Sequence, residues 1–204
     1  MLVACLDLEG VLVPEIWINV AEATGIDDLR LTTRDIADYD ELMTHRLRTL
    51  DRHGIGLGRI QAVIDGMGPL PGAADFLNWL RQRFQVVILS DTFYPFGMPL
   101  MAQLGHPTLL CHDLEIVEDR IVGYRLRQHD QKTKAVAALQ TLNLTVVATG
   151  DSYNDSGMLA RADAGVWFCP PDRVVAEFPQ YPVARDYDEL RAEFLRAAER
   201  VAAG

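Results

Sequence analysis

The most informative segment of the sequence lies near the start of the chain and reads Leu2-Val3-Ala4-Cys5-Leu6-Asp7-Leu8-Glu9-Gly10-Val11. Its first five residues are apolar and contain no turn former, which predicts a buried central strand of a parallel sheet. Asp7 and Glu9 follow at the end of that strand, where open α/β sheets bind their ligands, and Gly10 lets the backbone turn sharply. Two carboxylates in this position indicate a site for a cation or a proton, although a solvated acidic turn has the same pattern.

Length and composition fit a globular protein with one main domain and an insertion. The chain has 204 residues, of which 49% are hydrophobic and 24% are charged, and its mean hydropathy is +0.03. No stretch is long and apolar enough for a membrane span, and the first residues enter a strand without the basic and apolar regions of a secretory signal. We therefore predict a cytoplasmic protein with no membrane partner.

The formal net charge of −10, with no cluster of basic residues, excludes a general affinity for nucleic-acid phosphates. A small phosphorylated ligand is still compatible with this charge, because a few local donors and a divalent cation can hold it inside a negative protein. The charge therefore predicts no nucleic-acid partner and leaves a small anionic substrate open. The oligomeric state does not follow from the sequence.

The cysteine and histidine side chains are assigned no catalytic or metal-binding role. Cys5, Cys111 and Cys169 are widely spaced beside apolar runs, which predicts reduced thiols packed in the core. The five histidines lack the spacing of metal ligands, and no set of serine, histidine and aspartate indicates acyl transfer.

Alternating strand and helix patterns predict an α/β fold, a Rossmann-like doubly wound parallel sheet. After the first strand, strands are predicted at 86–89, 108–111, 145–148 and 165–169, and helices at 73–83, 133–142, 155–162 and 187–203. A β-hairpin is predicted at 114–126, with its turn at Glu118-Asp119. Residues 14–68 have helical spacing and no strand pattern, so we predict a small helical cap at 14–71, inserted into a core domain formed by 1–13 and 72–204.

Polar clusters follow three of the predicted strands: Asp7 to Val11, Ser90-Asp91-Thr92 and Gly150-Asp151-Ser152-Tyr153-Asn154-Asp155. Because the carboxyl ends of parallel strands lie at one edge of a sheet, we expect these clusters to meet. Lys132, shortly before the predicted helix at 133–142, can reach back to neutralise a phosphoryl group together with Asp7. If Asp7 is a nucleophile, its product is an acyl phosphate, which splits one difficult displacement into two easier ones.

With these motifs in this order and spacing, the chain resembles the haloacid dehalogenase (HAD) superfamily of phosphotransferases over nearly its whole length. The motifs are Asp7 to Val11, Ser90, Lys132, and Gly150 to Asp155, which fits the family pattern Gly-Asp-x-x-x-Asp. The insertion after the first motif resembles the small helical cap of the family, and the arrangement is most similar to the phosphoserine phosphatases. The resemblance implies a HAD-like core and a Mg²⁺-dependent phosphomonoesterase with an aspartyl-phosphate intermediate.

The resemblance also implies a role for each matching residue. Asp7 corresponds to the nucleophile and to a Mg²⁺ ligand, and Asp151 corresponds to the second carboxylate ligand. Glu9 corresponds to the residue whose backbone carbonyl binds the ion and whose side chain is the general acid and base. Asp155 would orient a metal-bound water. The phosphate-holding set corresponds to Ser90, Lys132 and Asn154, although turn formation and helix capping remain alternatives for Ser90 and Asn154.

Substrate choice is expected to come from the cap, because the four motifs recognise phosphate and metal only. Glu15 resembles the carboxylate that receives the serine ammonium in phosphoserine phosphatases, and Arg46 the guanidinium that receives the serine carboxylate. The implied substrate is O-phospho-L-serine. A favourable charge at a helix N-terminus is the alternative for Glu15, and a solvated helix cation is the alternative for Arg46.

Two residues depart from the pattern of ordinary phosphoserine phosphatases. Glu9 stands where the family normally has aspartate, and Asp91 replaces the small residue that commonly follows the motif-two serine. With these departures, the four motifs and Leu110-Cys111-His112 resemble a bacterial branch that also transfers the phosphoryl group from phosphoserine to homoserine. The implied acceptor is therefore water or homoserine, and Asp91 is assigned only a hydrogen bond within its own turn.

Two other functions remain open on the sequence. One is a phosphatase for another small phosphorylated metabolite, in which Glu15 and Arg46 do not hold an amino-acid backbone. The other is a non-catalytic protein that binds a phosphorylated ligand, which the replacement of aspartate by Glu9 makes possible.

Overall fold

The computed structural model describes residues 1–32, 35, 36 and 38–202. Its centre is a sheet whose strands run in the order β4-β3-β2-β1-β5-β6-β7, so the N-terminal strand lies in the middle as the sequence predicts. All neighbouring strands are parallel except β3 and β4, which form the antiparallel hairpin. The strands are β1 Leu2–Leu6, β2 Gln85–Phe93, β3 Thr108–Val117, β4 Arg120–Arg125, β5 Thr145–Gly150, β6 Ala164–Phe168 and β7 Val183–Ala184.

Helices connect the strands and confirm the alternating α/β pattern. They are α1 Ile16–Thr24, α2 Tyr39–His53, α3 Leu57–Asp65, α4 Ala73–Arg81, α5 Tyr94–Gln103, α6 Gln131–Thr141, α7 Ser156–Arg161, α8 Asp172–Glu177 and α9 Tyr187–Ala202, with short 3-10 turns at Asp27–Arg30 and Tyr153–Asp155. The last helix was predicted to end at Ala203, which lies outside the described residues. None of the helices in the described ranges combines the length and the apolar character that crossing a bilayer requires.

Both faces of the sheet are buried, as doubly wound folds require. Alternate residues of β1 belong to opposite cores, with Ala4 and Leu6 in one and Val3 and Cys5 in the other. The first core also contains Phe76 of α4 and residues of α9, whereas the second is closed by residues of α6 and α7. The apolar run of β1 is therefore continuous because the strand packs on both sides.

The hairpin contacts the helices that follow β1. Asp119, at the hairpin turn, accepts a hydrogen bond from the Gly58 amide through Oδ1 (2.8 Å) and from the Leu57 amide through its carbonyl (2.7 Å). These donors belong to the first turn of α3, which has no partner for them within its own helix. Arg120 pairs with Asp51 of α2 at 2.5 Å. The division into a core of 1–13 and 72–204 and a cap of 14–71 stays a prediction. In that division, the hairpin belongs to the core and contacts helices α2 and α3 of the cap.

Several boundaries differ from those predicted. β2 was expected to end at Leu89 but continues to Phe93, past a register shift against β3, so Ser90 and Asp91 lie in an irregular part of a strand. Lys132 was expected before a helix and instead lies in the first turn of α6. Propensity patterns do not reveal these changes, because tertiary contacts fix the ends of elements.

Cys169 contradicts the expectation that all three thiols are packed in the core. It is exposed directly after β6, with a φ of 45°, whereas Cys5 and Cys111 are buried as expected. The strand before Cys169 ends at Phe168, so Cys169 lies just outside the buried run of β6.

We expect Asp119→Ala to lower the free energy of unfolding by about 1 kcal/mol, because the Gly58 amide loses its acceptor at the start of α3. Glu118→Ala is the matched control, since Glu118 occupies the same turn and also has a positive φ, of 48°. Urea denaturation of both variants measures the difference. Equal losses in the two variants would contradict a stabilising contact between hairpin and helix.

Candidate active site

Three parallel strands deliver the predicted polar clusters to one edge of the sheet. β1 lies between β2 and β5, and Leu6 pairs with Ile88 on one side and with Thr149 on the other. The segments that continue from Leu6, Ile88 and Thr149 therefore start at nearly the same height. This pairing brings Asp7, Ser90 and Asp151 together, although 144 positions separate the first from the last.

Two glycines allow the chain to pass close to the carboxylates. Gly10 has a φ of 76°, and a Cβ built on it would lie 2.6 Å from Cγ of Asp151. A Cβ on Gly150 would lie 2.2 Å from Cγ of Asp155. Only glycine fits at these two positions, because any side chain would displace a carboxylate of the cluster.

Asp7, Asp151 and Asp155 form a buried carboxylate cluster. Each offers one oxygen atom, and the three atoms lie within 4.8 Å of one another. Burial, reinforced by the negative charge of Asp155, raises the pKa of Asp7 well above its usual value and raises the pKa of Asp151 to about 7. The cluster carries more negative charge than this environment favours, and hard divalent cations prefer oxygen ligands of this kind.

Lys132 compensates part of that charge. Its Nζ lies 2.7 Å from Asp155 and 3.0 Å from Asp7, and the side chain is 3% exposed. Burial alone lowers the pKa of Lys132, but the carboxylates of Asp155, Asp7 and Asp91 raise it well above its usual value. The ammonium therefore remains charged inside the protein, where it reaches the predicted nucleophile.

Asp155 also organises the loop after β5. Its Oδ2 accepts hydrogen bonds from the amides of Asp151 (3.0 Å) and Ser152 (3.2 Å). Within the same loop, the Ser152 hydroxyl donates to Oδ1 of Asn154 at 2.6 Å. The side chain of Asp155 thus holds the backbone at Asp151 and Ser152 in place.

Ser90 is buried, and its Oγ accepts a hydrogen bond from the Thr92 amide at 3.2 Å. The turn-forming alternative for this serine is therefore present in the structure. It does not exclude a phosphate-holding role, because a hydroxyl that accepts one hydrogen bond can still donate its own hydrogen.

Glu9 reaches away from the strand toward the start of α1. Its Oε2 accepts a hydrogen bond from the Ile16 amide at 2.8 Å. Burial, together with the nearby charge of Glu15, raises the pKa of Glu9 to about 8. A carboxyl group with such a pKa can exist in either protonation state near neutral pH, which suits a general acid and base.

Arg46, on helix α2, has a hydrogen-bond donor that no described residue uses. Its guanidinium stacks on Trp17, 4.6 Å from the ring centroid, and NH2 donates to the Leu31 carbonyl at 2.8 Å. The side chain is buried, and its Nε has no hydrogen-bond partner among the residues that the structure describes. Burial lowers the pKa of Arg46 to about 10, so the group stays cationic at neutral pH. This buried donor therefore has a hydrogen that no described residue of the protein accepts.

One cavity of about 110 Å³ joins these groups. The predicted site residues that line it are Asp7, Glu9, Glu15, Arg46, Ser90, Lys132, Asp151 and Asn154. Asp155 does not line the cavity, but its Oδ1 accepts a hydrogen bond from Lys132, which does. A wider cavity of about 730 Å³ adjoins the first, because Tyr39, Asp91, Ser152 and Asn154 line both.

The residues near this cavity to which the motifs assign no site role include Trp17, Tyr39, Asp91 and His112. Trp17 and Tyr39 line it from α1 and α2, and Asp91 lines it beside Ser90. His112 is buried on β3, with Nε2 3.6 Å from Oδ1 of Asp91. The aromatic residues have no signal in the motifs, whereas the unusual Asp91 was visible in the sequence but lacked partners until β3 and α6 were placed.

The fold and the site define a hydrolase of the haloacid dehalogenase type. A family model described as haloacid dehalogenase-like hydrolase matches residues 20–160. The chain belongs to this family. Phosphatases of the family generally use a divalent metal ion, and the three clustered carboxylates fit one.

Among characterised relatives, the chain is 61% identical over 201 residues to the phosphoserine phosphatase ThrH of Pseudomonas aeruginosa, covering 98% of each protein. It is also 61% identical over 199 residues to a phosphoserine phosphatase of Pseudomonas syringae pv. tomato, covering 97% of this chain and 84% of that protein. A substrate-bound phosphoserine phosphatase shares the fold, with a TM-score of 0.78 and 17% identity over 94% of this chain and 97% of the other.

We expect Lys132→Met to lower the free energy of unfolding by about 3 kcal/mol in metal-free buffer, because Asp7 and Asp155 lose their cation inside the protein. The loss should shrink as the pH falls. Without the ammonium of Lys132, folding raises the pKa of Asp7 further than it does in the wild type. A carboxyl whose pKa is raised by folding binds more protons in the folded state, so the variant gains more stability than the wild type as the pH decreases. Urea denaturation at several pH values measures both effects.

Lys134→Met is the control, because Lys134 lies on the same helix and is exposed. If Lys132→Met were no less stable than Lys134→Met, the buried ion-pair network would not have the role assigned to it.

Proposed function

We propose that this chain is a Mg²⁺-dependent phosphoserine phosphatase that forms an aspartyl-phosphate on Asp7 and passes the phosphoryl group to water or to homoserine. The observation that carries the proposal is the 110 Å³ cavity, in which Asp7, Asp151 and Lys132 face the same space as Glu15 and Arg46. One end of this space suits a phosphoryl group and the other an amino-acid backbone. The names of the two Pseudomonas relatives support the same substrate.

Asp7, Asp151 and the backbone carbonyl of Glu9 are the groups we assign to the Mg²⁺ ion, with Asp155 orienting one of its waters. The fit rests on the buried cluster, whose oxygens lie within 4.8 Å of one another. When bound, the ion neutralises negative charge on the phosphoryl oxygens. The remaining chemistry belongs to the side chains.

In the first step, a carboxylate oxygen of Asp7 attacks the phosphorus atom, and the bond from phosphorus to the serine oxygen breaks. Glu9 gives its proton to the departing serine oxygen, which is consistent with its raised pKa of about 8. Ser90, Lys132 and Asn154 hold the equatorial oxygens as charge develops on them. The products of this step are serine and the acyl phosphate on Asp7.

In the second step, the hydroxyl oxygen of the acceptor attacks the same phosphorus atom and the bond to Asp7 breaks. Glu9 takes the acceptor proton, which restores both residues. Homoserine has the same ammonium and carboxylate groups as serine and one additional methylene. Glu15 and Arg46 can therefore hold either amino acid, and the resemblance of the motifs to the transferase branch favours homoserine as the second acceptor.

The experiment that tests the function measures phosphate release and phosphohomoserine formation from O-phospho-L-serine and Mg²⁺, with and without homoserine. We expect selective turnover of phosphoserine over other phosphomonoesters, and none with Asp7→Asn, because the amide keeps the volume but removes the nucleophile. Phosphoserine that carries the radiolabel on its phosphorus atom should label the wild-type protein and not this variant. Normal turnover by Asp7→Asn would refute the mechanism, and activity only on other esters would refute the substrate.

We expect Arg46→Ala to raise the KM for phosphoserine by about tenfold to a hundredfold, because a charge-assisted hydrogen bond to the substrate carboxylate is lost. The KM for p-nitrophenyl phosphate, which has no carboxylate, should change little. Arg48→Ala, an exposed arginine of the same helix, is the matched control. Equal effects of Arg46→Ala on both substrates would indicate that Arg46 only packs on Trp17.

A further inference from the structure

Asp91 has more polar contacts than a turn residue needs. Its Oδ2 accepts a hydrogen bond from Asn154 Nδ2 at 3.2 Å and lies 3.7 Å from Lys132 Nζ, and its Oδ1 accepts from Gln131 Nε2 at 3.1 Å. Its carbonyl accepts from the Tyr39 hydroxyl at 3.0 Å. These partners come from α2, α6 and the loop after β5, so Asp91 joins three separate parts of the site.

The contact with Asn154 fixes the orientation of that amide. Oδ1 of Asn154 accepts from the Ser152 hydroxyl, and Nδ2 donates to Asp91, so both ends of the amide are assigned. An amide nitrogen carries two hydrogens, and Asp91 uses one of them. The other is left for a ligand in the cavity that Asn154 lines.

Asp91 is itself held in place from the side of β3 and α6. Gln131 donates to Asp91 and to the Ser90 carbonyl, and its own oxygen accepts from Arg127 at 2.7 Å. Nδ1 of His112 accepts from the Arg127 amide at 3.2 Å, which places the proton of the neutral ring on Nε2. That nitrogen is the one that faces Oδ1 of Asp91.

The charge of Asp91 is compatible with a phosphoryl site because cationic and polar groups surround it. Burial raises the pKa of Asp91, but Lys132 and the contacts with His112, Gln131 and Asn154 outweigh burial and hold the pKa well below its usual range. Asp91 is therefore a carboxylate that only accepts hydrogen bonds, and it turns the donors of its neighbours toward itself.

On the basis of the function proposed above, we infer that Asp91 is a positioning residue that acts through Asn154. It holds the amide so that one hydrogen points to Asp91 and the second is available to the phosphoryl group. This role goes beyond the turn hydrogen bond, and it explains why a carboxylate stands directly beside the motif-two serine.

A double-mutant cycle tests the inference. We expect Asp91→Ala to weaken the binding of inorganic phosphate in the presence of Mg²⁺, measured by titration calorimetry, and to lower kcat/KM for p-nitrophenyl phosphate, both by about tenfold, as for groups that orient a ligand. In the Asn154→Ala background, Asp91→Ala should change either quantity by less than about twofold, because its effect passes through Asn154. Asp91→Asn, which keeps the volume, replaces Asp91→Ala if that variant does not fold.

Asp163→Ala is the matched control, because Asp163 accepts from the Gln140 amide and the Val146 backbone. Asp163 directly precedes β6 and therefore lies at the amino ends of the parallel strands, away from the site at their carboxyl ends. The Asp163→Ala variant should have a lower melting temperature and unchanged phosphate binding. Additive losses in the double variant, or unchanged phosphate binding in Asp91→Ala, would overturn the inference. If Asp91 and Asn154 are coupled in phosphate binding but the protein does not turn over phosphoserine, the proposed function alone is refuted. If phosphoserine is turned over but the losses of the two single variants are additive, the role of Asp91 alone is refuted.

Discussion

The buried ion pairs of the Lys132 ammonium with Asp7 and Asp155 hold the site together. Asp7 comes from β1 and Asp155 from the segment after β5, and both carboxylates are within 3.0 Å of the same nitrogen. Without this cation, the two segments would bring like charges together in a place where water cannot screen them. The lysine reaches them because it stands in the first turn of α6, which packs between β2 and β5. The edge of the sheet is thus held together electrostatically as well as by backbone pairing.

The second constraint is steric. The carboxylates of Asp151 and Asp155 leave no room for a Cβ at Gly10 and Gly150, so only glycine lets the backbone pass this close to them. The opposite wall has a different origin: Trp17 and Arg46 come from α1 and α2, and the hairpin turn at Asp119 contacts the start of α3. One wall therefore follows from strand ends and the other from the packing of helices, and the cavity joins the carboxylates of Asp7 and Asp151 to the guanidinium of Arg46.

Much of this arrangement was predictable because parallel strands impose it. The apolar run of β1, the strands near Val87 and Val147, and the turn at Glu118-Asp119 all occur where the sequence placed them. The site residues meet at one edge for the same reason. The extension of β2 to Phe93 and the exposure of Cys169 were not predictable, because a register shift and a chain turn depend on neighbouring elements that leave no periodic pattern. Asp91 departs visibly from the family pattern, but its partners lie 21 or more positions away in sequence, so the pattern does not reveal them.

The alternating fold, the carboxyl-end edge of the sheet and the convergence of Asp7, Ser90 and Asp151 there all follow from sequence, because strand direction and motif order suffice for these conclusions. The hydrogen-bond partners of the site side chains, in contrast, depend on tertiary packing. This packing placed Glu9 on the Ile16 amide, left Nε of Arg46 without a partner in the described part of the chain, and surrounded Asp91 with donors. These properties depend on burial and on distances between residues far apart in sequence, and no local pattern encodes either.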